Sequence, residues 1–411
     1  MFEALKNLLG TQFGTSVVFL LFSLAVMMTA VAYCIYFERK VSAWIQDRYG
    51  PNRVGRYGLL QPLADGIKML LKEDYIPRAA DRALFLFAPA MAFVVAMIGF
   101  AVIPFGGRVR WPWMAEGQSV AVQGASIDIG LLYILAVGSM AVYGVVLGGW
   151  SSNNKYAFYG SMRAAAQMLS YEVPLGLAVL IVILTTGALR LEEMVEVQRS
   201  GTWNVLLHPV AFVMMLTTAL AETNRAPFDL TEAEQELVGG YHTEYSALKF
   251  GLFFLGEYAH IITASGLMTA MFFGGWEPIP WTRHLAGAGG LTWLNWIAVS
   301  ASPGAMLLRL LIFGAKVSFF VFLFMWIRWT LPRFRFDQLM RLAWKALVPL
   351  GVALVIVQGV LVYVGRPVHW ISPAAEFAVL AAGGLLGAWC GRRVTGRQAS
   401  LPQAPGHPAT N

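Results

Sequence analysis

Charged side chains are scarce in this chain of 411 residues. Asp, Glu, Lys and Arg make up 13% of it and hydrophobic residues 57%. Soluble globular domains carry about 25% charged residues, so the composition argues against an ordinary soluble enzyme. Apolar runs of about 20 residues recur instead, which is the length that an α-helix needs to cross a bilayer. We therefore predict an all-α fold, a polytopic bundle of transmembrane helices.

Cysteine is almost absent as well. Cys34 and Cys390 are the only two, far apart in the sequence and each within an apolar run. They cannot build a disulfide framework, a cysteine-rich zinc site or the ligand set of an iron–sulfur cluster by this chain alone. The sequence also lacks a P-loop, a dinucleotide fingerprint, a haem-ligand pattern and metal-ligand spacing. We therefore expect this chain to bind no flavin, haem, iron–sulfur cluster or metal ion.

Nine apolar segments are candidates for membrane-spanning helices. The first is a poor signal peptide, because it is too long and Glu38-Arg39-Lys40 follows it without a cleavage pattern. No internal repeat is visible, which argues against a secondary transporter without excluding it. In chain order, the nine segments are 17–37, 83–105, 127–150, 173–189, 205–221, 251–273, 304–327, 346–364 and 373–390.

The formal net charge of +7 could indicate a nucleic-acid partner, but the distribution of the basic residues indicates membrane topology instead. Segments that would share one side of the membrane hold 21 of the 30 Lys and Arg residues: 38–82, 151–172, 222–250, 328–345 and 391–411. The opposite segments hold 7, and Arg309 and Lys316 fall inside a span. Because cytoplasmic loops are rich in Lys and Arg, we predict an N-terminus outside, a cytoplasmic C-terminus and no nucleic-acid partner.

The first cytoplasmic loop contains a predicted amphipathic helix at 59–71. Its polar face carries Asp65, Lys68 and Lys72. Such a helix lies in the membrane interface or docks a cytosolic partner, and a plain basic loop is the alternative. The apolar face consists of Leu59, Leu60, Leu63, Ile67, Leu70 and Leu71.

The loop after the fifth segment is unusually acidic, with six carboxylates and a single arginine, Arg225. Crowded carboxylates raise one another's pKa, so the loop is a candidate entrance for protons or cations, and a solvated acidic loop is the alternative. The apolar Pro227-Phe228 and residues 237–240 favour a loop that folds back into the protein. The six carboxylates are Glu222, Asp229, Glu232, Glu234, Glu236 and Glu244.

Ionisable residues within or at the edge of apolar segments are costly, and therefore indicate function. Glu257 and His260 are three residues apart, and Arg309 and Lys316 are seven apart, so each pair shares a helix face. We predict a buried chain of ionisable groups, although structural ion pairing explains any single pair about as well. The residues concerned are Glu172, Glu222, Glu257, His260, Arg309 and Lys316.

A basic and aromatic segment, 328–345, follows the seventh span. Such residues at a membrane surface are anchors by default. Their alternation also suits an amphipathic mouth for a lipophilic headgroup.

Long motifs occupy the predicted loops. They are Gly50-Pro51-Asn52-Arg53-Val54-Gly55, Gln61-Pro62-Leu63-Ala64-Asp65-Gly66, Ser170-Tyr171-Glu172, Glu222-Thr223-Asn224-Arg225-Ala226-Pro227-Phe228-Asp229-Leu230 and Pro332-Arg333-Phe334-Arg335. From about residue 17 to 365 the chain resembles the H-type membrane subunit of proton-pumping NADH:quinone oxidoreductase, respiratory complex I. On this resemblance it divides into an interfacial segment (1–16), a membrane domain (17–365), an additional C-terminal transmembrane helix (366–390) and a disordered cytoplasmic tail (391–411).

The resemblance implies a cell-membrane subunit of an enzyme complex, at the junction of its membrane and peripheral arms. The loops would help form a chamber for the substrate quinone, beside the terminal iron–sulfur cluster of a peripheral-arm subunit. Buried carboxylates would lead from there toward the other membrane-arm subunits. The chamber residues would be Glu38, Arg39, Asp65, Lys68, Phe228 and Arg335. The proton path would comprise Glu172, Glu222, Asp229, Glu232, Glu234, Glu236, Glu244, Glu257 and Lys316.

Two other functions stay open on the sequence: the membrane subunit of a related membrane-bound hydrogenase, and a stand-alone cation or solute transporter. The complete motifs at 50–55 and 222–230 favour the quinone-linked branch. Missing repeats and long cytoplasmic loops argue against the transporter. Purification from native membranes separates these cases, because a transporter should come out alone and a subunit with partners that carry flavin and iron–sulfur clusters.

The predicted topology can be tested with cysteines introduced as Leu60→Cys and Arg335→Cys. Both positions lie in segments that the charge distribution assigns to the cytoplasm. An impermeant thiol label should therefore reach them in inverted vesicles and not in intact cells. Labelling of either cysteine from outside intact cells would show the orientation to be wrong.

Overall fold

The structure, a computed structural model, describes residues 11–114, 117–230, 237–281, 296–297, 300–365 and 371–385. Within them, helices α1 to α7 are Gln12–Ile45, Gln61–Leu71, Arg82–Phe100, Gly130–Ser139, Ala141–Ser151, Lys155–Thr186 and Leu191–Ser200. Helices α8 to α14 are Asn204–Leu207, Pro209–Glu222, Ala247–Phe272, Pro303–Thr330, Phe336–Arg341, Val348–Tyr363 and Ile371–Leu385. Strands β1 (Arg108–Val109) and β2 (Val120–Ala121) form an antiparallel pair.

Seven helical stretches of the described residues are long and apolar enough to cross a membrane. They are Gln12–Ile45, Arg82–Phe100, Gly130–Ser151, Lys155–Thr186, Ala247–Phe272, Pro303–Thr330 and Phe336–Tyr363. Two shorter apolar helices, α9 and α14, coincide with the fifth and ninth predicted spans. The predicted polytopic helix bundle is confirmed, and the chain is a multi-pass membrane protein.

Several helices extend beyond the apolar segments that predicted them. α6 begins at Lys155, where the Asn154 side chain accepts from the Tyr156 amide, so most of the predicted loop 151–172 is helical. Likewise α11 continues to Thr330 and α12 begins at Phe336. Hydropathy detects only the part of a helix that fits the hydrocarbon core, and α6, with 32 residues, is about 48 Å long. The polar ends of these helices extend beyond that core.

The chain termini were predicted from composition. α1 begins at Gln12, so the helix that contains the first apolar segment starts five residues before residue 17. Residues 1–10 and the predicted disordered tail, 391–411, lie outside the described residues. Of the predicted C-terminal helix, the structure describes α14.

The amphipathic helix of the first loop is confirmed as α2, which contacts α1 and α10. None of its residues is buried, and Leu63, Leu70 and Leu71 are 63%, 68% and 82% exposed. Single exposed leucines are ordinary, but a whole apolar helix face without cover in this chain marks a surface for lipid or a partner.

Small residues bring the central helices α3, α5 and α10 close together. A Cβ added to Gly144 of α5 would come within 3.0 Å of Ala92 in α3, and one added to Gly256 of α10 within 3.4 Å of the same residue. Close backbone approach at small residues is how membrane helices gain packing energy, because lipid and core side chains are equally apolar. This contact fixes α10, which carries Glu257.

Helix α9 is too short to span the membrane alone. Its 14 residues extend about 21 Å, against a hydrocarbon core of about 30 Å. It starts at Pro209 directly after His208, which is fully buried, and ends at Glu222. Both of its ends therefore lie inside the protein, where polar backbone groups need partners.

Candidate functional site

Glu38 of α1 is the centre of a buried charge cluster. It is 7% exposed, and the Tyr258 hydroxyl donates to its Oε2 at 2.6 Å. Arg225 Nη1 lies 3.4 Å from both carboxylate oxygens, and Arg328 Nη1 also donates to Oε1. Three donors therefore offset the cost of taking this carboxylate out of water.

Arg225 connects Glu38 to a second carboxylate. Its Nε lies 3.7 Å from Oε2 of Glu257, whose Oε1 accepts from the Tyr241 hydroxyl at 3.2 Å. The guanidinium also lies over the Tyr258 ring, 4.1 Å from its centroid. Burial opposes the charge on Arg225, but Tyr258, Glu38 and Glu257 raise its pKa above the ordinary value. One permanent cation is thus shared between two acids, the buried Glu38 and Glu257, whose side chain is 12% exposed.

The loop that carries Arg225 folds into the protein, as predicted. Gln167 of α6 donates to the carbonyls of Ala221 and Phe228, each at 2.8 Å. The Phe228 ring stacks on Phe334 at 5.5 Å. On the same stretch, Asp229 is 7% exposed and pairs with Arg333 at 2.9 Å.

A second group of ionisable residues lines an internal cavity beside this cluster. Glu222 and His260 face it, together with Thr223 and Thr263. Its volume of about 40 Å³ is enough for about three or four water molecules, at about 10–15 Å³ for each. The buried Nε2 of His260 has no hydrogen-bond partner among the described residues, so a water in the cavity would satisfy it.

Helix geometry joins the two groups into one row. Glu257 and His260 are three residues apart on α10 and share a face, as the sequence predicted. Glu172 of α6 lies close enough to Glu222 for their charges to interact. The row therefore runs from Glu38 through Glu257 to Glu222 and Glu172.

The structure does not bring Lys316 to this row, contrary to the expectation that it faces the carboxylates. Its ammonium donates to the carbonyl oxygens of Phe273, at 2.6 Å, and Gly275, at 3.0 Å, and also to that of Glu277. Phe273 follows Glu257 by 16 residues, which is about 24 Å along a helix. Sequence spacing identifies the helix face of Lys316 but not the partner opposite it.

Arg309 lies at the same end of the bundle as Lys316. Its guanidinium donates to the carbonyl oxygens of Ile297 and Ser300 at 2.7 Å, and to that of Gly106 at 3.3 Å. Such bonds tie the segments around β1 to α11. They place Arg309 outside the row of acids.

The remaining predicted residues are spread over the opposite surface. Arg39 pairs with Asp65 at 2.6 Å across α1 and α2. Glu244 accepts from the Asn154 amide at 2.5 Å. Lys68 and Arg335 are exposed, and Glu232, Glu234 and Glu236 lie outside the described residues.

Sequence reasoning missed Arg328, Tyr258 and Tyr241 and gave Arg225 no role of its own. A lone arginine in a loop of six carboxylates was an available signal, because a buried acid needs a counter-charge. The two tyrosines carried no comparable signal. Among the described residues, no group of three or more His, Cys, Asp or Glu side chains is arranged to hold a metal ion.

Replacing Arg225 tests whether it holds the cluster together. Arg225→Met leaves Glu38 and Glu257 without their shared cation, and removing one partner of a buried pair costs about 3–5 kcal/mol. We expect less folded protein in membranes and a lower temperature of unfolding on heating. Adding Glu38→Gln to this variant should recover part of that stability.

Arg341→Met is the matched control, because Arg341 is 69% exposed and should contribute about 0.5 kcal/mol or less. Wild-type stability of Arg225→Met would contradict a structural dependence on this cation.

Comparison with known proteins identifies the family of the chain. A family model described as NADH dehydrogenase matches residues 18–359. An H-type subunit of NADH-quinone oxidoreductase from Geobacter metallireducens is 48% identical over 334 residues, covering 81% of this chain and 92% of the relative. The H-type subunit of Wolbachia pipientis wMel is 48% identical over 352 residues, covering 84% and 96%. One from Cytophaga hutchinsonii is 45% identical over 334 residues, covering 81% and 92%. The chain belongs to the NADH dehydrogenase family, among the H-type membrane subunits of NADH-quinone oxidoreductase.

Proposed function

We propose that this chain forms part of the quinone chamber of an NADH:quinone oxidoreductase complex and couples quinone reduction to proton translocation. The observation that carries the proposal is the row of acids from the buried Glu38 to the half-buried Glu257 and Glu222, joined by Arg225 and a cavity large enough for water. The names of the relatives favour this quinone-linked role over that of a hydrogenase subunit or a transporter.

The proposed chamber lies where α1 meets α2. Glu38 and Arg39 are neighbours on α1: Glu38 faces the buried cluster, and Arg39 reaches Asp65 on α2. A quinone whose tail lies along the exposed leucines of α2 would therefore approach Glu38. We assign Phe228 and Arg335 to the same chamber. Phe228 follows Arg225, which binds Glu38, by three residues and stacks on Phe334, the neighbour of Arg335 in the chain.

Coupling would act through charge. Reduction of a quinone to a quinol takes up two electrons and two protons, and the product is neutral. The charge beside Glu38 would therefore change while the electrons have arrived and the protons have not, and wherever a neighbouring group has given up a proton. A proton that reaches Glu38 weakens its hold on Arg225 and strengthens the pull of Glu257 on the same guanidinium. In a low-dielectric interior such changes act over several ångströms. Waters in the cavity would carry the response on to Glu222 and Glu172.

The partners and orientation complete the proposal. Electrons would come from the terminal iron–sulfur cluster of a peripheral-arm subunit, because the substrate quinone is the only redox species that we assign to this chain's chamber. The row of acids would lead to other membrane-arm subunits. We place the chain in the cell's inner membrane, in contact with lipid, with the N-terminus outside and the C-terminus in the cytoplasm.

A photoreactive quinone analogue tests the chamber. It should crosslink to α2, to 328–345 or to the Glu38-Arg39-Lys40 stretch, because these segments border the proposed access route. Mass spectrometry of peptides from the labelled complex locates the crosslinks, and excess unlabelled quinone should suppress them. Crosslinks confined to 106–126 or 274–303 would contradict the assignment.

Neutralising the acids tests the coupling. Glu222→Gln and Asp229→Asn should each lower quinone-dependent NADH oxidation and proton pumping together, severalfold or more, because both depend on the same path. Electron transfer from NADH to an artificial acceptor, which stops in the peripheral arm, should survive. The measurement is NADH-driven acid uptake by inverted vesicles, normalised to the amount of assembled complex.

Glu193→Gln is the matched control, because Glu193 is 56% exposed on α7 and outside the row. Lys316→Met tests whether Lys316 belongs to the proton path or is a structural residue. Because its ammonium donates to backbone carbonyls, we expect a loss of stability without a specific pumping defect. Wild-type pumping in both Glu222→Gln and Asp229→Asn would contradict the proposed coupling.

A further inference from the structure

The C-terminal helix α14 carries an acid that the proposed function does not use. Glu376 is 3% exposed, on a helix beyond residue 359, where the family match ends. Its Oε1 lies 2.7 Å from His208 Nδ1. Its Oε2 accepts from the backbone amides of Val210, at 2.9 Å, and Ala211, at 3.4 Å. Glu376 thus lies at the N-terminus of α9.

A closed ring of hydrogen bonds holds Glu376 in this place. His208 Nε2 lies 2.8 Å from the Thr185 hydroxyl of α6, which accepts from the Gln358 amide of α13 at 3.0 Å. Ser372 of α14 donates to Gln358 at 2.9 Å and lies 3.3 Å from His208 Nδ1. His208 and Ser372 are fully buried. The partners come from three helices, so the ring docks α14 in one position.

The need for such a cap follows from the length of α9. Its first amides lie inside the bundle, where an unsatisfied N–H group is costly and no bulk water replaces a partner. The N-terminus of a helix also carries partial positive charge, which favours a carboxylate over a neutral acceptor. Glu376 supplies that carboxylate from a different helix. At the other end of α9, about 18 Å away, lies Glu222.

We propose that Glu376 is a positioning residue, which caps α9 and through that helix holds Glu222 at the water cavity. The cap stands on the contacts alone, whereas the consequence for Glu222 rests on the proposed function. α14 is then part of the coupling scaffold of this chain. Loss of the cap lets the first turn of α9 open and moves the carboxylate at its far end.

Hydrogen–deuterium exchange of the intact purified complex tests the cap. In Glu376→Ala, the amides of Val210 and Ala211 should exchange about tenfold faster, because each loses its hydrogen bond to a charged acceptor. Glu376→Gln keeps one carbonyl oxygen and should give an intermediate exchange rate. This variant tests the cap even if the alanine variant does not assemble. Glu193→Ala is the matched control and should exchange as wild type there. Wild-type protection in Glu376→Ala and Glu376→Gln would overturn the cap.

The pH profile of quinone-dependent NADH oxidation tests the positioning. Glu376→Gln should lower the normalised rate severalfold and change the profile, because the surroundings of Glu222 change with α9. Glu193→Gln, at an exposed position of α7 outside the row, is the matched control and should keep the wild-type profile. A wild-type profile in Glu376→Gln with fast amide exchange would overturn the positioning role. Failure of the proposed function appears separately, as wild-type pumping in Glu222→Gln.

Discussion

The arrangement of the site depends on one buried guanidinium, that of Arg225. Without it, Glu38 and Glu257 would be two acids facing each other in an interior where charge is strongly disfavoured. With it, four segments are joined: α1, the loop after α9, α10, and α11 through Arg328. The aromatic ring of Tyr258 covers the guanidinium and limits access of water. The same contact that stabilises the fold therefore makes the two acids sensitive to each other's protonation.

Arg225 reaches this position because α9 stops early. An ordinary spanning helix would carry the residues after Glu222 out to the aqueous surface. Irregular backbone at membrane depth is tolerated only where protein or a water-filled cavity surrounds it. Gln167 satisfies one carbonyl in the last turn of α9 and one in the loop, and the Phe228–Phe334 stack covers the loop. A short helix is thus the structural condition for an inward-folded loop, and its buried ends need the polar partners found at His208 and Glu222.

The sequence was sufficient for the features that depend on local periodicity. Apolar length predicted the bundle, the pattern at 59–71 predicted α2, and the cost of buried charge selected Glu222 and Glu257. Features that depend on contacts between distant helices could not be read from it. The partners of Lys316 and Arg225 lie more than 30 residues from each in the chain. Helix ends such as Lys155 were missed because they extend past the apolar core that hydropathy detects.

Four cations of the bundle divide into two kinds according to the groups that accept their hydrogen bonds. Arg309 and Lys316 donate to backbone carbonyls, whose dipoles do not change when a proton arrives. Both also lie close enough to the buried carboxylate of Glu277 for their charges to interact. Arg225 and Arg328 donate to carboxylates, whose charge disappears on protonation. A cation shared by two acids must redistribute its interactions when either one is neutralised, because its own charge is permanent. In the proposed mechanism, the signal from the quinone starts at the end of the bundle where the cations are bound by acids.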